Sequence, residues 1–265
     1  MIRKKILLAL LAPLAALSPA VSAREALPPD PLKSPMWAYH AERLFGDAPV
    51  RFDPAVRLEI PQIAENQRVF PVTVDARRIA GVRRILLFAD LNPIPVAVDY
   101  APSAAAPFLA TRIKLDQRTP VRAAVLTSDG IWHVSGAWID AAGGGCSAPP
   151  VSRVKGDWAD HLGEMHGAAW ALNGTETRLR VTVRHPMDTG LVENIPAYNI
   201  ERLTVSSATG TPLATLEVFG SVAEDPAFTF IVESAKGPLS VTARDTSGLE
   251  FTGTVTPGRA ALASR

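Results

Sequence analysis

The stretch from Asp140 to Pro150, Asp-Ala-Ala-Gly-Gly-Gly-Cys-Ser-Ala-Pro-Pro, can settle into neither a helix nor a sheet. Gly143, Gly144 and Gly145 keep nearly all backbone conformations open and lose the most entropy when fixed, while Pro149 and Pro150 lack the N–H that either ladder needs. Whatever the chain builds must therefore stand on either side of this break. The stretch also carries the single cysteine, Cys146. Extended at roughly 3.3–3.6 Å per residue, the run from Ala141 to Cys146 spans roughly 20 Å, so the sequence predicts a mobile, solvent-accessible thiol on a tether. An enzymatic nucleophile needs its base and oxyanion donors fixed around it, so the tether suits delivery of a thiol to other proteins. No cation lies beside Cys146 in sequence, so any activation of the thiol has to come from a partner's site.

Residues 1–23 read as a secretory signal peptide: Arg3, Lys4 and Lys5 open it, an apolar run follows, and Val21-Ser22-Ala23 supplies a small-residue cleavage site. The expected location is the periplasm, with no membrane attachment once the signal is cleaved. Outside the cytosol cysteines usually pair, and Cys146 has no partner within the chain, which marks a reactive or intermolecular thiol. The formal net charge of +1 turns slightly negative when the three signal cations are removed, which speaks against nucleic acid as a partner.

With 265 residues, 23 prolines and 18 glycines, and with short apolar runs rich in β-branched residues, both sides of the break read as strands joined by turns. The first side opens with a short helix in which Trp37, His40, Ala41, Leu44 and Phe45 share a face and Gly46 ends the run. Strands are predicted over 56–60, 69–74, 82–88, 95–100, 108–115, 121–126 and 131–139. The second side offers strands over 177–184, 200–206, 212–218, 227–232, 238–243 and 249–255. The fold class is all-β: two immunoglobulin-like sandwiches in tandem, over 35–140 and 175–258, with 141–174 as glycine-cysteine arm and irregular linker. The two are expected to dock on each other, with Trp158 and Trp170 anchoring the linker.

Other candidate chemistry is thin. Cys146, His185 and Met187 offer copper-type donors, but a blue-copper centre needs a second histidine and none has suitable spacing, so no metal or other cofactor is expected. A Cys146–His185 hydrolytic pair lacks a third orienting group. His185-Pro186-Met187-Asp188-Thr189-Gly190 reads chiefly as an ordered turn in which Asp188 and Thr189 bond local backbone, with an arm-facing or partner-facing role for His185 as the functional alternative.

The Gly143-Gly144-Gly145-Cys146 arm following a small β-domain resembles the carrier arm of SoxY. The His185–Gly190 segment, with Ile195-Pro196-Ala197-Tyr198-Asn199-Ile200 and Asp245-Thr246-Ser247-Gly248, is similar to SoxZ. Their order in one chain resembles the fused SoxYZ-like carriers associated with quinoprotein dehydrogenases, over nearly all of the chain from Trp37 to Thr254. The resemblance implies two docked immunoglobulin-like sandwiches and a carrier without catalytic activity, which holds sulfur covalently on Cys146. The implied partners are periplasmic sulfur-oxidising proteins, or a quinoprotein dehydrogenase or its cytochrome. In SoxY the arm ends the polypeptide, whereas here Ser147-Ala148-Pro149-Pro150 continues into a second domain, so the arm is anchored at both ends. A different class of reading remains beside it, an accessory module in which Cys146 is incidental.

Overall fold

The computed structural model describes residues 26–233 and 237–258. The segment read as a signal peptide, 1–23, lies outside the described residues. Some strands form from alternation of apolar and polar side chains, and others from short apolar runs buried on both faces. Helix α1 (Trp37–Phe45) buries Trp37, His40, Ala41 and Phe45, and Gly46 closes it at a φ of 60°. Strands β1 (Val50–Phe52), β2 (Arg57–Glu59), β3 (Ile63–Ala64), β4 (Phe70–Asp75), β5 (Val82–Ala89), β6 (Val96–Ala101), β7 (Ala105–Ile113), β8 (Thr119–Thr127) and β9 (Trp132–Ala141) complete the first half. After the break come helix α2 (Val151–Lys155) and strands β10 (Met165–Ala171), β11 (Glu176–Val183), β12 (Ile200–Ser206), β13 (Pro212–Val218), β14 (Ala227–Glu233), β15 (Leu239–Asp245) and β16 (Glu250–Val255). The segment read as an irregular linker thus holds α2 and the edge strand β10, which pairs in register with β11 from Met165↔Val183 to Ala171↔Thr177. Gly167, Ala168 and Ala169 gave that strand little β character in sequence.

The two halves share their sheets. One sheet runs β1-β9-β8-β5-β6-β13-β12-β15-β16, with β3 beside β9, and the other runs β10-β11-β14-β7-β4-β2. The seam is β6 against β13, from Val98↔Val218 to Ala101↔Thr215, in the first sheet, and β7 against β14, including Leu109↔Phe230, in the second. Between the sheets the buried side chains form one core that crosses the seam, with Tyr100 and Leu109 from the first half against Phe230 from the second. Docking is therefore by backbone ladder as well as by side chains. Trp158 and Trp170 do not hold the seam: Trp158 packs on Tyr198 and under Arg153, and Trp170 lies beside Arg178.

On the outer face of the larger sheet α1 covers a second apolar cluster of Trp37, Phe45, Phe88 and Trp132. Beneath it Arg122, fully buried, is held by Asp90 and by Asp30 of the N-terminal stretch. Removing the guanidinium would leave two carboxylates unpaired away from water, so Arg122→Leu is expected to cost about 3–5 kcal/mol, read by urea denaturation. A proteolytic nick within 157–163, between α2 and β10, should leave both fragments in one particle that melts in one transition. Separation of the fragments on size exclusion would contradict the shared sheets.

Candidate functional site

Strand β9 ends at Ala141, and the arm that follows does not project from the sandwich. It turns back into a cradle made by the loops that leave β3 and β7. Gln67 Nε2 donates to the Gly143 carbonyl at 2.7 Å, Gly144 N donates to the Asp116 carbonyl at 3.3 Å, and Gly145 N donates to the Leu115 carbonyl at 3.1 Å. The Asp116 carboxylate then accepts from Cys146 N at 3.0 Å, from Ser147 N at 3.2 Å and from Ser147 Oγ at 3.1 Å. Asp116 is itself positioned by Asn92, whose Oδ1 accepts its backbone N–H at 3.0 Å. Arg68 donates to the Pro149 carbonyl at 3.2 Å, fixing the exit.

The glycines are needed here for two different reasons. Gly143 and Gly144 take φ values of 104° and 79°, a region that side-chain-bearing residues rarely enter. Gly145 is a matter of space: a Cβ there would lie 2.3 Å from the Gln67 carbonyl oxygen and 2.4 Å from that of Leu115. The same glycines that allow an arm to move also let it lie flat against the protein.

The second half closes the cradle from the other side. Thr189 Oγ1 donates to the Cys146 carbonyl at 2.7 Å. Two residues earlier the Met187 carbonyl accepts from Lys114 Nζ, which also donates to the Gly220 carbonyl at 2.9 Å. Lys114 is buried, and its ammonium ties the first half to two loops of the second. Arg153 of α2 forms a two-point ion pair with buried Asp188. Glu224 accepts from Val151 N at 2.7 Å and Ser152 N at 2.6 Å, which caps α2.

This geometry corrects the expectation of an exposed, mobile thiol. Cys146 is 1% exposed. Burial, with the nearby Asp116 charge, pushes the thiol up to about 12 against the pull of Lys114. The docked sulfur is therefore a thiol at neutral pH and a poor nucleophile. Lys114 in turn is pushed down to about 8 by burial, with Cys146 the first of the acidic groups that oppose the shift.

His185 is buried rather than partner-facing. Its Nδ1 accepts from Met187 N at 3.1 Å, and its ring lies 4.5 Å from that of Tyr198. Burial pushes the imidazole down to about 4 despite Asp245, 3.8 Å from Nε2, so the ring is neutral at neutral pH and this approach is not an ion pair. Asp245 is already engaged by Tyr198 Oη at 2.7 Å and by the Ser247 and Leu249 backbone. The turn reading of His185–Gly190 holds in part. Thr189 does serve local backbone at Leu191 N, but Asp188 spends its carboxylate on Arg153, and Thr189 also reaches the arm. The copper-type donors are turned to backbone too, since the Met187 sulfur accepts from Ile200 N.

Lys114, Asp116, Gln67, Asn92 and Arg153 had no signal in the sequence. Lys114 falls on the outward beat of the alternation between Ile113 and Leu115, where a solvated lysine is the ordinary expectation.

Two outcomes follow. Gly145→Ala should force the arm out of its cradle and raise the iodoacetamide rate at Cys146 at least about tenfold at neutral pH, measured by peptide mass; an unchanged rate would mean the carbonyl contacts do not hold the arm. For His185 the folded pKa lies below the unfolded one, so its contribution to stability is complete above about pH 6.5 and is lost as pH falls towards about 4. His185→Gln should therefore flatten the acid limb of the stability profile by as much as about 3 kcal/mol relative to the parent.

The family model described as sulfur oxidation protein SoxY matches residues 41–146, and that described as sulphur oxidation protein SoxZ matches residues 165–256. No curated protein matches the chain. Among solved structures, the sulfur carrier protein SoxY from Chlorobium limicola f thiosulfatophilum matches at 22% identity over 40% of this chain and 96% of its own, with a TM-score of 0.36. A β-glycosidase from Bacteroides vulgatus matches at 12% identity over 83% of this chain and 26% of its own, with a TM-score of 0.24. The first family match ends on Cys146 itself, and the second contains Thr189, which holds that cysteine's carbonyl. The chain thus belongs to the SoxY and SoxZ families, fused in that order in a single SoxYZ-like polypeptide.

Proposed function

We propose that this protein is an exported, periplasmic sulfur carrier that holds sulfur intermediates covalently on Cys146 while separate enzymes act on them. The observation that carries the reading is that the SoxY match ends on the cysteine, directly after three glycines. Joining a sulfur donor to the thiol makes a sulfur–sulfur bond and releases two electrons, which a partner must accept; later transfer or cleavage restores the thiol. The chain itself needs no catalytic group for this, only a thiol that can be presented. The partners in this reading are periplasmic sulfur-oxidising proteins, with a quinoprotein dehydrogenase or its cytochrome as the electron acceptor.

In the docked state Cys146 is shielded, which suits a resting form protected from stray oxidants. Loading then requires the arm to leave its cradle. Each hydrogen bond on the arm is worth about 0.5–1.5 kcal/mol net, and the released glycines regain backbone entropy, so an open population of roughly 0.1–10% is in reach without unfolding. Anchoring at both ends limits the excursion to a loop, so a partner has to approach the seam.

The burial of Cys146 favours one rival, an accessory module in which the cysteine only packs. Purification from the periplasm without reductant followed by intact mass separates the two. The carrier reading expects additions of one or more sulfurs, or a thiosulfonate, removed by dithiothreitol and mapped to the peptide with Cys146, with none in Cys146→Ser. A uniformly unmodified thiol, together with full function of Cys146→Ser, would leave the accessory reading in place.

A further inference from the structure

An open cleft of about 390 Å³ lies at the seam beside the exit of the arm, between α2, the end of β7 and the loop that follows β11. Some of the charges around it are spent. Arg184 pairs with Asp225, whose other oxygen accepts from His185 N at 3.1 Å, and both oxygens of Glu224 serve the start of α2. Others are not. The half-buried guanidinium of Arg112 makes no hydrogen bond or ion pair with any described residue, and burial, then the Arg180 cation nearby, hold it below the usual guanidinium range against the pull of the Asp225 carboxylate. Lys155 is likewise without an ion pair among the described residues. Ser152 is 6% exposed and its Oγ has no partner; Asp157 Oδ1 is also buried without one.

On the cleft wall Arg112 and Lys155 thus have no ion pair among the described residues, while of the three acids there Asp225 is paired with Arg184, Glu224 serves the start of α2 and Asp157 Oδ1 has no partner. The acid near Arg112, Asp225, is already taken by Arg184 and by the His185 N–H, so the donors of Arg112 stay unfilled, and its planar fork matches two oxygens of one oxyanion. Ser152 Oγ supplies a further donor from the adjoining wall.

We propose that this cleft binds a small tetrahedral sulfur oxyanion non-covalently, with Arg112 as its two-point anchor and Ser152 as a second donor. The choice of sulfur oxyanion rests on the carrier reading above. The position fits that role, because Ser152 lies six residues beyond Cys146 and Val69, on the cleft wall, follows Arg68, which clamps Pro149. An arm released from its cradle has roughly 20 Å of extended chain between Cys146 and the cleft, so the anion waits within reach of the thiol. The site exists only because the halves share a seam: Arg112 comes from the first half, Ser152 from the connecting segment and Arg184 from the second.

The test uses the full chain, after signal removal, carrying Cys146→Ser so that no covalent step contributes. Sodium thiosulfate and sodium sulfate are titrated by calorimetry at low ionic strength, with sodium chloride as control. Saturable binding of thiosulfate or sulfate is expected, weakened at least about tenfold by Arg112→Gln and about threefold by Ser152→Ala, and unaltered by Arg118→Gln, which lies outside the cleft. No saturable binding, equal binding of chloride, or an affinity untouched by both cleft variants would overturn the proposal. Since the thiol is absent throughout, that failure leaves covalent carriage on Cys146 to be judged by its own mass measurement.

Discussion

Two edge pairings, β6 with β13 and β7 with β14, are what the remainder of this molecule rests on. An isolated small sandwich exposes strand edges that invite pairing with other chains. Here each half covers an edge of the other in both sheets, and the apolar layer between the sheets continues without a break. Fusion in one polypeptide keeps the two halves at high effective concentration, so the seam need not form by encounter. The contacts that join the two halves around the arm depend on that seam. Lys114 at the end of β7 reaches the Met187 and Gly220 carbonyls, and Thr189 reaches the Cys146 carbonyl, only because β7 and β14 are neighbours.

The arm is held by small, separable interactions. Its bonds are to backbone carbonyls, one carboxylate, one side-chain amide, one guanidinium and one hydroxyl, and the thiol enters a site that disfavours its charge. A persulfide anion or thiosulfonate on Cys146 would bring negative charge close to Asp116, and loading would weaken the cradle from within. Lys114 is the buried cation that offsets part of this. Shielding when empty and release when loaded thus follow from the same few groups.

The strands were legible where side chains alternate, as in 69–74 and 238–243, or as a short apolar run, as in 121–126, and so was the helix that Gly46 ends. Strand β10 was not, since Gly167, Ala168 and Ala169 pack through a neighbour rather than through their own propensity. Glycine and proline marked the arm, and Cys146 marked the thiol, but composition gives freedom, not conformation. Whether Gly145 swings or docks depends on carbonyls at Gln67 and Leu115, far away in sequence. The same holds for His185: its motif was visible, yet its burial against Tyr198 and Asp245 is a product of tertiary packing. Lys114 looked like any outward lysine until the second half covered it.

Native-state amide hydrogen exchange at Gly145, Cys146 and Ser147 tests the held arm most directly. A docked arm that opens without unfolding predicts protection at these amides, with an opening free energy measurably below that of the central strands β5 and β8. Exchange at the rates of an unstructured peptide would show that the arm swings freely, and protection equal to global unfolding would show that it never opens in the folded protein. Either result would contradict a cysteine stored at the seam and released for loading.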